Sequence, residues 1–97
     1  MPVLYAIHCR DAEGALPTRL SLYEAHKAHL AAAEVHIVIS GPLLAEDGET
    51  MIGSLFVIEA ENRAAAEAFV AADPFRQGGV WAEVSLTRFH MRLDNRR

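Results

Sequence analysis

"HIVISGPLLAEDGETMIGSLFVIEA" (residues 36–60) is the stretch whose reading decides the fold. Two apolar runs, 36–44 and 52–60, flank "AEDGET" (45–50). Asp47-Gly48 between such runs is a strong hairpin signal. The stretch therefore predicts two neighbouring antiparallel strands. An antiparallel sheet with one solvated face alternates apolar and polar residues. These runs do not alternate: "IVI" and "LFVI" are apolar on both faces. Helices can cover one face only. The other predicts a second cover, and the sheet of another copy supplies one, so a face-to-face homodimer is expected.

Working outward, "PVLYAIHC" (2–9) reads as a first strand and "RDAEGALP" (10–17) as a loop. Thr18 is a candidate N-cap for a helix over 18–34, with Leu22, Ala25, His29, Ala32 and Ala33 at helical spacing. Beyond the hairpin, Asn62 caps an alanine-rich helix over 63–73, whose stripe is Ala66, Phe69 and Val70. "PFRQGG" (74–79) reads as a turn. A last strand over 80–91 alternates, with Val80, Ala82, Val84 and Leu86 on one face and Trp81, Glu83, Ser85 and Thr87 on the other. The order is βαββαβ, an α+β ferredoxin-like fold with a four-stranded antiparallel sheet and two helices on one face.

The length of 97 residues predicts a single domain over 1–97, with 91–97 as a solvated tail carrying Arg92, Arg96 and Arg97. The hydrophobic share is 52%. A domain this small buries little more than ~60% of its unfolded surface, so this much apolar surface favours an oligomer. The net charge of −4 and the lack of a basic stripe argue against nucleic acid. No apolar run approaches the ~18 residues of a membrane span. Cys9, the one cysteine, has no internal disulfide partner, and no signal-peptide pattern precedes it. A soluble cytoplasmic protein is expected.

Several residues could carry chemistry. His26 and His29 stand three apart on one helix face and could hold a metal, but no further ligand pattern accompanies them, and no metal is expected. His8, His36 and His90 read as ordinary strand polarity. Cys9 reads as a small buried hydrophobe. Ser40 and Ser54 sit beside glycines without a nucleophile-elbow motif. Asp73-Pro74 reads on its own as capping chemistry, an aspartate N-cap before a first-turn proline.

"HKAHL" (26–30), "SGPLLAEDGETMIGSLFVIEAENRAAAEAFVAADPF" (40–75) and "GVWAEVSL" (79–86), in this order and spacing, resemble the YCII (YciI-like) domain family. The resemblance runs from the first strand to the last. It implies a dimeric α+β barrel and a histidine–aspartate dyad. His26, with Leu30 four residues on, matches the family histidine, although Lys27 replaces the usual leucine. Asp73 in "DPF" matches the aspartate. Tyr23 stands where an arginine is common, and Arg19 matches an upstream arginine loosely. The stretch from His26 to Gly41 is short for the family, which predicts an early end to the first helix and leaves His29 as a rival to His26. Arg88 stands where proline is common.

The resemblance implies a cofactor-independent enzyme that does acid/base chemistry on a small, cyclic or aromatic-derived substrate. Isomerase, lyase and dehydrochlorinase reactions fit that description. His26 would be the acid or base and Asp73 its partner. The pocket is expected between the first helix, the end of the second and the sheet. Ser40, Gly41, Pro42 and Ser54 would line it, with Arg19 or His29 holding an anionic group. The alternatives are a non-catalytic small-ligand-binding domain and a metal site of His26, His29 and Asp73.

Overall fold

The computed structural model describes residues 2–96. Met1 and Arg97, the ends of the expected domain and tail, lie outside them. The hairpin forms as the sequence predicts: β2 (His36–Leu44) pairs antiparallel with β3 (Met51–Ala60). Asp47 builds its turn. Its Oδ1 accepts from the backbone N–H groups of Glu49 and Thr50, both at 2.9 Å, and its Oδ2 from the Thr50 hydroxyl at 2.6 Å. These bonds hold its carboxyl down at about 2. Gly48 takes the left-handed φ of 75° that the turn requires.

β1 (Val3–Asp11) lies between β3 and β4 (Trp81–Phe89), giving the antiparallel order β2-β3-β1-β4. α1 (Leu16–Ala31), α2 (Arg63–Ala71) and a single turn, α3 (Pro74–Gln77), complete the chain. Tyr5, Ile7, Cys9, Phe56 and Ile58 face Ala66, Phe69 and Val70 of α2 and Phe75 of α3 to form the core. α1 packs over the same sheet face, with the His26 ring 6.3 Å from that of Phe56. This is the ferredoxin-like α+β fold. The opposite face carries Ala6, Val57 and Ile39 in register across β1, β3 and β2, with Leu4 paired to Glu59 and Leu55 paired to His8 on either side of them. No helix among the described residues is long and apolar enough to cross a membrane.

Several expectations need correction. α1 starts at Leu16, capped by Ala15 without a side-chain bond, and Pro17 sits in its first turn. Proline there presets the helical φ and needs no N–H partner, so Thr18 lies inside the helix rather than capping it. The helix ends at Ala31, three residues before the predicted end. Its buried face is Ala15, Arg19 and His26, with Leu22 and Leu30 half-buried, whereas Ala25 and Ala32 are exposed. Apolar periodicity misplaced this face because two of its central positions are polar. β1 runs on through Arg10 and Asp11, which had read as loop. "PFRQ" is a turn of helix rather than an irregular turn.

β4 departs from simple alternation. Asp11 pairs with Trp81 but Arg10 with Glu83, so Ala82 is an extra residue in the ladder. Such a bulge reverses parity. Trp81 therefore joins Val84 and Leu86 on the core side, not the opposite face. Residues 90–96 form neither strand nor helix, though Arg96 Nη1 donates to the Val38 carbonyl at 3.3 Å.

Cys9 is fully buried between β3 and β4. Burial pushes its thiol from 9.0 up to about 12, and the nearby Asp73 carboxylate adds to this. The unfolded thiol ionises near 9.0 and the folded one near 12. Its contribution to stability is thus complete below pH 9.0 and is lost as pH rises toward 12. At pH 8 the native protein should resist iodoacetamide and the unfolded chain should react within minutes. Equal alkylation of the two would contradict this burial.

Candidate active site

Asp73 is the first element of the site. It follows α2 and opens α3, so its extended backbone (φ −70°, ψ 130°) and its Oδ1, which accepts from the Phe75 N–H at 2.8 Å, make it an N-cap. The Asp73 carboxylate is also completely buried. A buried carboxylate needs partners, and capping satisfies only part of its capacity. His26 supplies the rest. Its Nδ1 lies 2.9 Å from each Asp73 oxygen. An ionised carboxylate only accepts, so Nδ1 carries the proton and donates. In the neutral form of the ring, Nε2 is then the bare nitrogen. Nε2 has no protein partner among the described residues and keeps some solvent-accessible surface.

Packing fixes the imidazole in orientation. Its ring stacks on Phe75 at 4.0 Å and 11°, and meets the edges of Phe56 and Trp81 at 6.3 and 6.5 Å. The "DPF" triplet thus does two jobs two residues apart: Asp73 bonds the ring edge and Phe75 supports the ring face.

Arg19 is one α1 stretch before His26 and almost fully buried. Its Nε and Nη2 grip the two oxygens of Asp11 at 2.8 and 3.1 Å. Nη2 also donates to the Gly53 carbonyl at 2.8 Å and to Ser54 Oγ at 2.7 Å. The guanidinium lies 4.6 Å over the Phe75 ring. Trp81 Nε1 donates to Ser54 Oγ as well, at 3.3 Å. Gly53 is required in this arrangement, since a Cβ there would collide with the Cys9 carbonyl oxygen.

His26, Arg19 and Ser54 open on one cavity of about 430 Å³, whose other walls include Tyr23, Ser40, Gly41 and Pro42. Its volume falls in the range of small-molecule sites, roughly 300–1,000 Å³. The walls come from α1, β2 and β3; the end of α2, which the sequence reading placed at the pocket, does not line it. Asp73 stands behind His26, out of contact with the cavity. Of the predicted site residues, Arg19, His26, Ser40, Gly41, Pro42 and Ser54 meet here. His29 does not. Its Nε2 donates to the Phe69 carbonyl at 3.0 Å and its ring stacks on Phe69 at 5.2 Å. It lines a second, larger hollow of about 570 Å³, whose charged groups Glu34, Glu59 and Glu61 are all exposed. The smaller cavity is the better site because three of its polar groups, Arg19, His26 and Ser54, are buried and each is held by hydrogen bonds.

Sequence reasoning missed Asp11, Phe75 and Trp81. Asp11 lay in a stretch with loop composition, and Trp81 lay on the wrong side of a bulge. Phe75 was within the quoted "DPF", and its spacing from Asp73 was the available signal.

The YCII-related domain family model matches residues 3–90. Protein YciI from Escherichia coli O6:H1 is 34% identical over 94 residues, covering 90% of this chain and 96% of that protein. An uncharacterized protein from Haemophilus influenzae is 34% identical over 92 residues, covering 88% and 94%. Among solved structures, the 5-chloro-2-hydroxyhydroquinone dehydrochlorinase TftG from Burkholderia phenoliruptrix, in complex with 2,5-dihydroxybenzoquinone, matches with a TM-score of 0.81. Its identity is 32%, and the match covers 90% of this chain and 93% of that one. A NIPSNAP domain protein from Burkholderia xenovorans matches at a TM-score of 0.54 and 14% identity, covering 91% and 92%, which shows the shared fold alone. Because the family model matches residues 3–90, from β1 through β4, the chain belongs to the YCII-related domain family.

Proposed function

We propose that this protein is a cofactor-independent acid/base enzyme acting on a small, oxygen-substituted cyclic substrate. The observation that carries this reading is the His26–Asp73 pair, with Nδ1 committed to the carboxylate and Nε2 left free at a cavity wall. In this account Nε2 takes a proton from the substrate. Asp73 holds the tautomer and stabilises the imidazolium that forms. The same nitrogen then returns the proton to another substrate atom or to a leaving group. Bonds to hydrogen are exchanged without net oxidation, so the two residues suffice for the proton transfers. The similarity to the dehydrochlorinase TftG supports a hydroxylated ring as the substrate, and 2,5-dihydroxybenzoquinone, the ligand in the TftG complex, is small enough for a cavity of about 430 Å³.

The test is turnover of 5-chloro-2-hydroxyhydroquinone, followed by chloride release. His26→Gln and Asp73→Asn should each lose about 10²–10⁴-fold in rate while still folding. Unchanged rates in both would overturn the reading. Weakened binding of 2,5-dihydroxybenzoquinone with no turnover even in the parent protein would instead identify a ligand-binding domain.

The working unit in this proposal is a homodimer packed sheet to sheet. The outer sheet face supports it: Leu4, Ala6, Ile39, Leu55 and Val57 form one apolar surface, of which Val57 is the most buried. A second copy related by a two-fold axis covers the same residues on both chains. Light scattering should give twice the chain mass, and Ile39→Glu with Val57→Lys should give the monomer. A parent protein that is monomeric at micromolar concentration would contradict it.

A further inference from the structure

We propose that Ser54 and Arg19 form a receptor for a negatively charged substrate oxygen, so that the substrate class is an acidic enol or phenol. The inference rests on the reading of His26 as the base and deepens it.

The argument is an inventory of one hydroxyl. A serine oxygen offers two acceptor lone pairs and one donor proton. Arg19 Nη2 and Trp81 Nε1 both donate to Ser54 Oγ, at 2.7 and 3.3 Å. Neither group can accept, so both lone pairs are occupied. The hydroxyl proton has to donate elsewhere. Among the described residues no protein acceptor is bonded to it, while Ser54 stands in the wall of the cavity that His26 enters. Ser54 therefore presents a fixed donor to whatever fills the cavity and has no lone pair to offer a ligand N–H or O–H.

Arg19 strengthens this polarity. A hydrogen bond from a cation polarises the hydroxyl that receives it. Nη2 has two protons for three acceptors, Ser54 Oγ at 2.7 Å, the Gly53 carbonyl at 2.8 Å and Asp11 Oδ1 at 3.1 Å, so the longest contact is a shared one, and Nε on Asp11 Oδ2 at 2.8 Å completes a fork that cannot swing away. Its Nη1 alone has no protein partner among the described residues, and it keeps accessible surface. Arg19 and Ser54 both line the cavity, and in this proposal their free N–H and O–H serve it together. Such a frame, set before reaction, stabilises charge where it develops. The step balances: the substrate O–H bond breaks, an N–H bond forms at His26 Nε2, and the electron pair stays on oxygen. Ser54 O–H and Arg19 Nη1 receive that oxygen.

Calorimetric titration with 2,5-dihydroxybenzoquinone and its dimethyl ether, 2,5-dimethoxybenzoquinone, tests the inference without turnover. The parent protein should bind the dihydroxy compound at least about 10-fold more tightly. Ser54→Ala should weaken that compound roughly 10- to 100-fold and change the ether little. Trp81→Phe, which frees one Ser54 lone pair while keeping the hydroxyl, should narrow the preference partway. It decides the matter should Ser54→Ala not fold. An unchanged preference in whichever of these variants folds overturns the inference, as does a parent protein that binds both compounds equally or neither at millimolar concentration. A normal preference in Ser54→Ala, with turnover lost in His26→Gln, defeats this inference alone. The Ser54 effect with full turnover in His26→Gln defeats the acid/base reading alone.

Discussion

A carboxylate with no access to water organises this molecule. Asp73 is fully buried, and an unpaired charge in that position would be very costly. Its partners come from two directions. The Phe75 N–H comes from the turn that Asp73 itself caps, and His26 Nδ1 comes from the middle of α1. One side chain therefore ties the α2–α3 junction to α1. The pairing also fixes which His26 nitrogen faces the cavity. Capping and proton chemistry are not rival explanations of Asp73, because the bond that caps α3 is what holds the carboxylate still.

The same economy of partners extends along α1. The buried face of this helix is built around Arg19 and His26, where an ordinary core helix would place leucines. Arg19 is matched by Asp11, Gly53 and Ser54, and no buried side-chain polar atom among the described residues lacks a partner. Replacing a buried ion pair with well-packed apolar residues often leaves a protein equally or more stable. A fold that keeps this polar seam beside a cavity is therefore better explained by what the seam does than by stability. Phe75 joins the two halves, with the His26 ring stacked on it and the Arg19 guanidinium over it.

Much of this was legible in the sequence, for physical reasons that differ from element to element. Asp47-Gly48 between two β-branched runs predicted the hairpin because its turn chemistry is local. Ala66, Phe69 and Val70 predicted the buried stripe of α2 because that helix packs with apolar groups. The face of α1 was misplaced because its periodic signal is carried by Arg19 and His26, which hydropathy reads as surface. Trp81 was put on the wrong face because one extra residue, Ala82, reverses the alternation without any mark in composition. The pairing of His26 with Asp73, 47 positions apart, came from the family resemblance and not from spacing. Asp11 was invisible because nothing in "RDAEGALP" tells a ladder residue from a loop residue.

The central claim is that Asp73 sets the His26 tautomer and leaves Nε2 bare at the cavity. Long-range ¹H–¹⁵N correlation of the histidine rings reads this directly. The account predicts a neutral His26 with its proton on Nδ1, and in Asp73→Asn a shift toward the Nε2–H form. A parent protein with its proton on Nε2, or a tautomer that ignores the substitution, would contradict it.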